Sequence, residues 1–333
     1  MSAKNKQNRL FQVTPAPHFH SGETIPRVMW AVVISLLPAL LASLYFFGYR
    51  ALQIEVVAVV SAVLTEALIQ KLRGRPITVS DGSAAVAGLL LAFNLPVGVP
   101  LWLPAVGAAF GIAIGKQAFG GLGHNIFNPA LVGRVFVMHS WLGPMTTWSS
   151  PRTGLYAAYR GVDALSYATP LGAAKEAVVS LVPAADGVFS TADMFWGNIG
   201  GCIGETSAFA ILLGGVFLLY RGYIRWQTPV AFIATVGVLT WLLPAKAGAL
   251  TLTPIQHLFG GGLLLGAIFM ATDMVTTPVT GWGMLIFGLG CGIITSLIRL
   301  YGGFPEGVCY SILIMNAFTP LIDRGIRPRI FGT

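Results

Sequence analysis

Charge is scarce in this sequence. Of 333 residues, Asp, Glu, Lys and Arg make up 10%, while hydrophobic residues make up 55%, and the mean hydropathy is +0.75. Soluble domains carry roughly 25% charged residues, so a soluble globular fold is excluded and an integral membrane protein is expected. Cysteine is sparse too: Cys202, Cys291 and Cys309 stand far apart, with no C-x-x-C spacing. They read as buried thiols rather than iron–sulfur ligands. No small-residue cleavage site accompanies the first long apolar run, which begins near Val28 behind a polar arm, so no cleavable signal peptide is expected. The net charge of +8 lies between apolar segments instead of on one face. That pattern argues against a nucleic-acid partner.

Apolar length is abundant, punctuated by 41 glycines and 20 prolines. Membrane bundles use those residues for close helix packing and for broken helices. Apolar segments run at 28–48, 52–70, 82–95, 101–119 and 126–141, then at 205–221, 228–244, 254–272, 281–300 and 306–322. Most approach the ~20 residues needed to cross the hydrocarbon layer. The third is short, closed by Pro96 and Pro100. The only long polar interval, 143–193, separates the two sets, and the Gly-rich apolar stretch 194–204 reads as a re-entrant prelude to the sixth segment. The expected organisation is a polar arm at 1–27, a first five-helix unit at 28–142, an outer loop at 143–193, a second five-helix unit at 194–323 and a tail at 324–333. With the arm in the cytoplasm, Lys71, Arg73, Arg75, Lys116, Arg221, Arg225, Arg324, Arg327 and Arg329 join its basic residues inside. By the positive-inside rule both termini are then cytoplasmic and the polar interval is outside.

An internal repeat supports the five-plus-five count. Gly22-Glu23-Thr24 precedes the first segment and Gly204-Glu205-Thr206 opens the sixth; at the same spacing, Gly120-Gly121 follows the fourth and Gly302-Gly303 the ninth. Ala92-Phe93-Asn94 and Ala271-Thr272-Asp273 fall at matching ends of the third and eighth. Five is odd, so the second unit must be inverted relative to the first. The expected fold is an all-α polytopic membrane protein of about ten transmembrane helices, in two inverted five-helix repeats with discontinuous helices.

The polar interval carries Asp163-Ala164-Leu165-Ser166-Tyr167-Ala168-Thr169-Pro170-Leu171, with Arg152, Arg160 and Lys175 close by. An S-x-A-T run after an Asp, in the central loop of a polytopic protein, resembles the flavin-attachment motif of RnfD, a membrane component of the Rnf electron-transport complex. The same motif marks its relative NqrB, a membrane component of the sodium-pumping NADH:quinone oxidoreductase. The resemblance extends through Pro17-His18, Thr78-Val79-Ser80-Asp81-Gly82-Ser83 and the loop Gly120-Gly121-Leu122-Gly123-His124-Asn125-Ile126-Phe127-Asn128. It continues through Ala271-Thr272-Asp273 and Gly302-Gly303-Phe304-Pro305-Glu306-Gly307 to Pro320-Leu321-Ile322-Asp323. Where the family often has Gly, this chain has Tyr167. With its short N-terminal arm, the chain is closer to the Rnf protein than to its longer quinone-reductase relative.

The resemblance implies FMN joined through its phosphate to the Thr169 hydroxyl, flanked by Asp163, Ser166, Tyr167 and Ala168, with Arg152, Arg160 or Lys175 neutralising the phosphate. It also implies a second, non-covalent flavin (riboflavin) within the membrane part. Gly120, Gly121, Gly123, Asn125 and Asn128 form either a flavin- or partner-contacting loop or a tight helix-packing turn. The implied function is an electron-carrying subunit of a ferredoxin:NAD+ oxidoreductase that exports Na+ or H+ across a bacterial cytoplasmic membrane. Its partners would be an outer-face FMN subunit, membrane iron–sulfur subunits, cytoplasmic NAD- and ferredoxin-reacting subunits and a flavin transferase.

Ionisable groups inside the membrane are functional candidates because they are costly unless paired. Asp273 and Glu306 lie nearest the interrupted helices and read as a Na+ path or as interfacial helix caps; Glu23 and Glu205 carry the same two readings. One of Glu55 and Glu66 is a candidate partner for Arg134, and His18 and His20 are a weak metal pair. The aromatics near segment ends, such as Phe195 and Trp196, read as an interfacial belt. Two other classes of function stay open, a non-redox secondary transporter and a passive scaffold for redox partners. Flavin fluorescence of the denatured protein on a gel separates the transporter from the flavoprotein.

Overall fold

A second helix that is apolar on the outside and polar on the inside sets the character of the fold. Tyr49–Leu72 (α2) turns Val56, Val60, Leu64, Leu68 and Leu72 outward at four-residue spacing, while Ala58, Ala62, Glu66 and Gln70 are buried at the same spacing. In water that arrangement would be inside out; against lipid it is the expected one. The computed structural model describes residues 22–149, 151, 169–174, 190–243 and 252–327. The described residues are mainly helical, without strands; an isolated bridge pairs Pro96 with Cys202.

Helix α1 (Ile25–Phe47) meets α2 through Gly48 alone, whose φ of 69° is open to glycine at no steric cost. These two helices and Gly281–Tyr301 are long and apolar enough to cross a membrane. The remaining elements are shorter: α3 (Ser83–Phe93), α4 (Trp102–Phe110, continued by a π-helical stretch Gly111–Gln117), α5 (Pro129–Ser140), α6 (Leu142–Thr146), α7 (Thr191–Trp196), α8 (Ala208–Tyr220) and α9 (Gln227–Leu242). Then come α10 (Pro254–Phe259), α11 (Leu263–Leu265, continued by a π-helical stretch Gly266–Met270), α12 (Gly281–Tyr301) and α13 (Val308–Gly325). Local chemistry explains the starts. The Asn128 side chain accepts the Ala130 N–H at 3.0 Å with Pro129 following, and Thr253 with Gln256 forms a reciprocal capping box ahead of Pro254.

Helix pairs close where side chains are small. A methyl on Gly88 would stand 2.8 Å from the Val59 Cα, and one on Gly288 would stand 2.6 Å from the Thr228 carbonyl oxygen. In each case backbone meets backbone, and dispersion contact replaces the hydrophobic driving force that lipid does not supply.

The sequence predicts one segment at 254–272. The structure breaks it into α10 and α11 at Gly260-Gly261-Gly262, because Gly261 takes a left-handed φ of 65°. The stretch after α7 follows an irregular path, and its Ile203 and Gly204 N–H groups bond to the Leu95 and Phe93 carbonyls, each at 3.0 Å. The two short elements, α3 and α11, converge: Asn94 at the end of α3 touches the Met270 sulfur at 3.6 Å. Broken backbone is thus buried in protein, where its polar groups find partners.

Candidate functional site

Two buried polar networks and a cleft stand out among the described residues. The first network is built on Arg134, in the middle of α5. Its Nη1 donates to Asn94 Oδ1 and to Glu205 Oε1, the latter at 3.0 Å; its Nη2 donates to Glu306 Oε2 at 2.7 Å and approaches Cys202 Sγ at 3.9 Å. Sequence reasoning paired Arg134 with Glu55 or Glu66, and that expectation is corrected. Glu55 instead accepts from the Ser43 hydroxyl at 2.6 Å, and Glu66 lies in the second network. Segment order in the chain hides such pairings, because Arg134, Glu205 and Glu306 come from three distant stretches. Of the two repeat-related acids, Glu205 is buried, whereas Glu23 is exposed and accepts from the Tyr223 hydroxyl at 3.0 Å. Glu205 Oε2 has no hydrogen-bond partner. Cys202, Cys291 and Cys309 are free and buried, as expected from their spacing.

The stretch headed by Thr169 approaches this network through Leu171. Thr169 is 8% exposed and heads a helical stretch at 170–174; its Oγ1 accepts the Gly172 N–H at 3.0 Å, and its carbonyl accepts the Ala173 N–H at 2.8 Å. Leu171, two residues on, packs against the glycine run between α10 and α11. A methyl on Gly261 would stand 2.9 Å from Leu171 Cδ1, 2.7 Å from Glu306 Oε1 and 3.3 Å from an Arg299 guanidinium nitrogen. Arg299 itself is buried, donating to the His257 and Gly260 carbonyls at 2.5 and 3.0 Å. Asp163, Ser166, Tyr167, Ala168, Arg152, Arg160 and Lys175 lie outside the described residues, as do His18 and His20.

The second network centres on Lys116, which sits on the π-helical continuation of α4. Its Nζ stands 2.7 Å from Glu66 Oε1 and donates to the Ser83 hydroxyl at 2.6 Å; Gln117 and Gln70 each donate to the same carboxylate, at 3.0 and 3.2 Å. The sequence places Lys116 among the charges of the cytoplasmic side. The structure buries it to 2% exposure, which the carboxylate and two amides make tolerable.

Beside the second network opens a cleft lined mostly by apolar side chains of α1, α3, α8 and the π-helical end of α11. Its polar wall comprises Ser83, Lys116, Asn125, Asn128, Tyr223, Thr272 and Asp273. Asn125 is buried and its Oδ1 is unpaired, while Asn128 donates to the Met270 carbonyl at 3.3 Å. Gly120, Gly121 and Gly123 adopt φ of 126°, 104° and 90° and shape the loop rather than line the cleft. Asp273 lies just beyond the apolar segment ending at Thr272. Burial pushes its carboxyl above the usual range, only partly offset by the Val275 N–H and the Thr276 hydroxyl. Asp273 and Glu306, read from the sequence as an ion path or as interfacial helix caps, fall in different places. The first walls the cleft and the second holds Arg134.

An apolar chain with lipid-facing helices, a helix broken at a glycine run and buried charge networks defines an all-α integral membrane protein. Residues 12–332 match the NQR2, RnfD, RnfE family, and the chain belongs to it. It is 47% identical to the D component of the proton-translocating ferredoxin:NAD(+) oxidoreductase complex of Clostridium ljungdahlii, over 99% of this chain and 98% of that one. It is 46% identical to the D component of the Na(+)-translocating ferredoxin:NAD(+) oxidoreductase complex of Acetobacterium woodii, over 96% and 95%. The D component of an ion-translocating oxidoreductase complex from Stutzerimonas stutzeri is 41% identical, over 93% and 92%.

Proposed function

We propose that this chain is a flavin-bearing membrane subunit of an ion-translocating ferredoxin:NAD+ oxidoreductase complex, with FMN held as a phosphodiester on Thr169. The observation that carries the reading is that residues 12–332 match the NQR2, RnfD, RnfE family and include the S-x-A-T run that ends at Thr169. Its hydroxyl is fixed by the Gly172 N–H, and its helical stretch packs through Leu171 on the Gly260–Gly262 run beside Arg299 and Glu306. Attachment requires a flavin dinucleotide as donor. As the Oγ1–P bond forms, the donor's pyrophosphate bond breaks and a nucleoside monophosphate leaves, while a transferase takes the hydroxyl proton.

The cleft is the proposed site of the second flavin, riboflavin. Its lining, apolar with a few convergent polar groups, is the character of a small-molecule site. Asn125, with an unpaired amide oxygen, Asn128, Asp273 and Lys116 supply polar contacts around an apolar interior. Bound flavin supplies one-electron chemistry. The protein's part is to orient the rings, exclude water and hold fixed charges near them.

The architecture we favour is ten crossings in two inverted repeats, with α3 and α11 as the paired discontinuous helices, both termini cytoplasmic and Thr169 on the outer face. Glu306 with Arg134, and Asp273 in the cleft, are the proposed stations of the translocated ion. The two most fully covered relatives above are named for different ions at nearly equal identity, so overall similarity does not select Na+ or H+. The test is mass spectrometry of the peptide carrying Thr169 from the purified complex. The expected result is an added mass of one dehydrated FMN, abolished in Thr169→Val with assembly retained. An unmodified peptide from a turning-over complex would overturn the assignment, and a flavin-free protein would favour a non-redox transporter.

A further inference from the structure

We infer that Glu55 is a proton-binding site inside the membrane, a neutral carboxylic acid whose O–H donates to Ser43 and whose proton exchanges with solvent. The site stands apart from both networks and from the cleft, and it does not depend on the flavin reading. Glu55 on α2 is 2% exposed and Ser43 on α1 is fully buried. Ser43 Oγ lies 2.6 Å from Glu55 Oε1 and 2.7 Å from the Leu40 carbonyl oxygen, and Glu55 Oε2 has no hydrogen-bond partner.

Counting hydrogens decides the state of the carboxyl. A hydroxyl has one hydrogen, which rotates to suit its partners, yet Ser43 Oγ makes two short contacts to oxygen. With Glu55 ionised, one of those contacts joins two acceptors with no hydrogen between them, and a buried carboxylate keeps at most one hydrogen bond. With Glu55 protonated, its O–H donates to Ser43 Oγ and Ser43 donates to Leu40, so each contact has its hydrogen. Protonation thus reverses the donor of the Ser43–Glu55 contact and leaves only a carbonyl oxygen, Oε2, unpaired. An unpaired neutral oxygen costs far less than an unpaired buried charge.

No cation offsets an ionised Glu55. Among the described residues no basic side chain lies within ion-pair distance of it. Helix α2 packs on α1, α3, α4 with its π-helical stretch, and the turn Val79–Asp81. Helix α3 has no charged residue, and the charges of the others lie toward the opposite end of α2. Arg27 bonds the Gly22 carbonyl, Asp81 accepts the Ser83 N–H, and Lys116 is bound to Glu66, about three turns along α2. On α2 itself, Arg50 donates to Gln53 and to the Val99 carbonyl, and Lys71 lies in the last turn. One helix thus carries an acid with a lysine and an acid without a cation. Glu55 lies about two turns, roughly 10 Å, from the Gly48 end of α2, which gives its proton a short path to that surface.

The experiment records infrared spectra of the purified complex as wild type, Glu55→Gln and Ser43→Ala, at neutral pH, in water and in deuterium oxide. The wild-type minus Glu55→Gln difference should contain a carboxylic-acid carbonyl band and no carboxylate bands. That band should shift down in deuterium oxide and keep its place when sodium replaces potassium in the buffer. Ser43→Ala should move it, because the acid loses its acceptor. Carboxylate bands in the difference overturn the site, and a band unmoved by deuterium oxide overturns the exchange. A band that sodium abolishes gives the carboxyl to a sodium ion and overturns the proton. If Glu55→Gln does not assemble, Ser43→Ala decides: a wild-type minus Ser43→Ala difference without a carboxylic-acid feature overturns the site.

Discussion

Removing the Arg134 side-chain charge, as in Arg134→Met, tests whether its network is a structural necessity of the buried interior. The substitution keeps an apolar side chain of similar length but leaves the Glu205 and Glu306 carboxylates, now held at 3.0 and 2.7 Å, without their cation. Breaking a buried pair by deleting one partner costs about 3–5 kcal/mol, because the remaining charge is stranded in low dielectric. The Asn94 oxygen also loses its donor, adding roughly 1–3 kcal/mol. Either carboxylate can take up a proton, which caps the penalty, so a total near ~4 kcal/mol is expected. With an unfolding entropy of about 2.1 cal/mol/K per residue, a chain of 333 residues shifts by roughly 1.4 °C per kcal/mol, so the melting midpoint should fall by about 6 °C. The assay is size-exclusion of a fluorescently tagged, detergent-solubilised complex after heating. The double variant Arg134→Met/Glu205→Gln should recover part of the loss, with a coupling of about 1–3 kcal/mol. An Arg134→Met complex that melts with wild type, or a double variant whose losses simply add, would refute the reasoning.

The second network behaves likewise. Glu66→Gln strands the Lys116 ammonium among Ser83 and the amides of Gln70 and Gln117, and should cost about 3 kcal/mol; Glu66→Gln/Lys116→Met should be milder than the single change in the same heating assay. Asp273 gives a pH dependence. Its folded-state pKa is raised by burial, so the folded protein binds more protons than the unfolded one between the two values, and stability falls as pH rises through the folded value. Asp273→Asn should therefore raise the melting midpoint at neutral pH, with the gain vanishing at a pH where wild-type Asp273 is protonated in both states. A gain independent of pH would contradict that sign.

Sequence alone determined much here. Scarce charge and repeated apolar runs fix a helical membrane protein, because lipid leaves backbone polar groups no other partner. The motif ending at Thr169, whose members are neighbours in sequence, carries the resemblance on which the flavin proposal rests. The short third segment was legible from Pro96 and Pro100. The break in the eighth segment was not read, since glycine is compatible with both a continuous helix and a turn. Which charges neutralise one another was decided only by the tertiary structure. Arg134 reaches Asn94, Glu205 and Glu306 from separate stretches of the chain, and Lys116 turns inward to Glu66. An electrostatic partner is chosen by distance in space within low dielectric, and order along the chain carries almost no record of that distance.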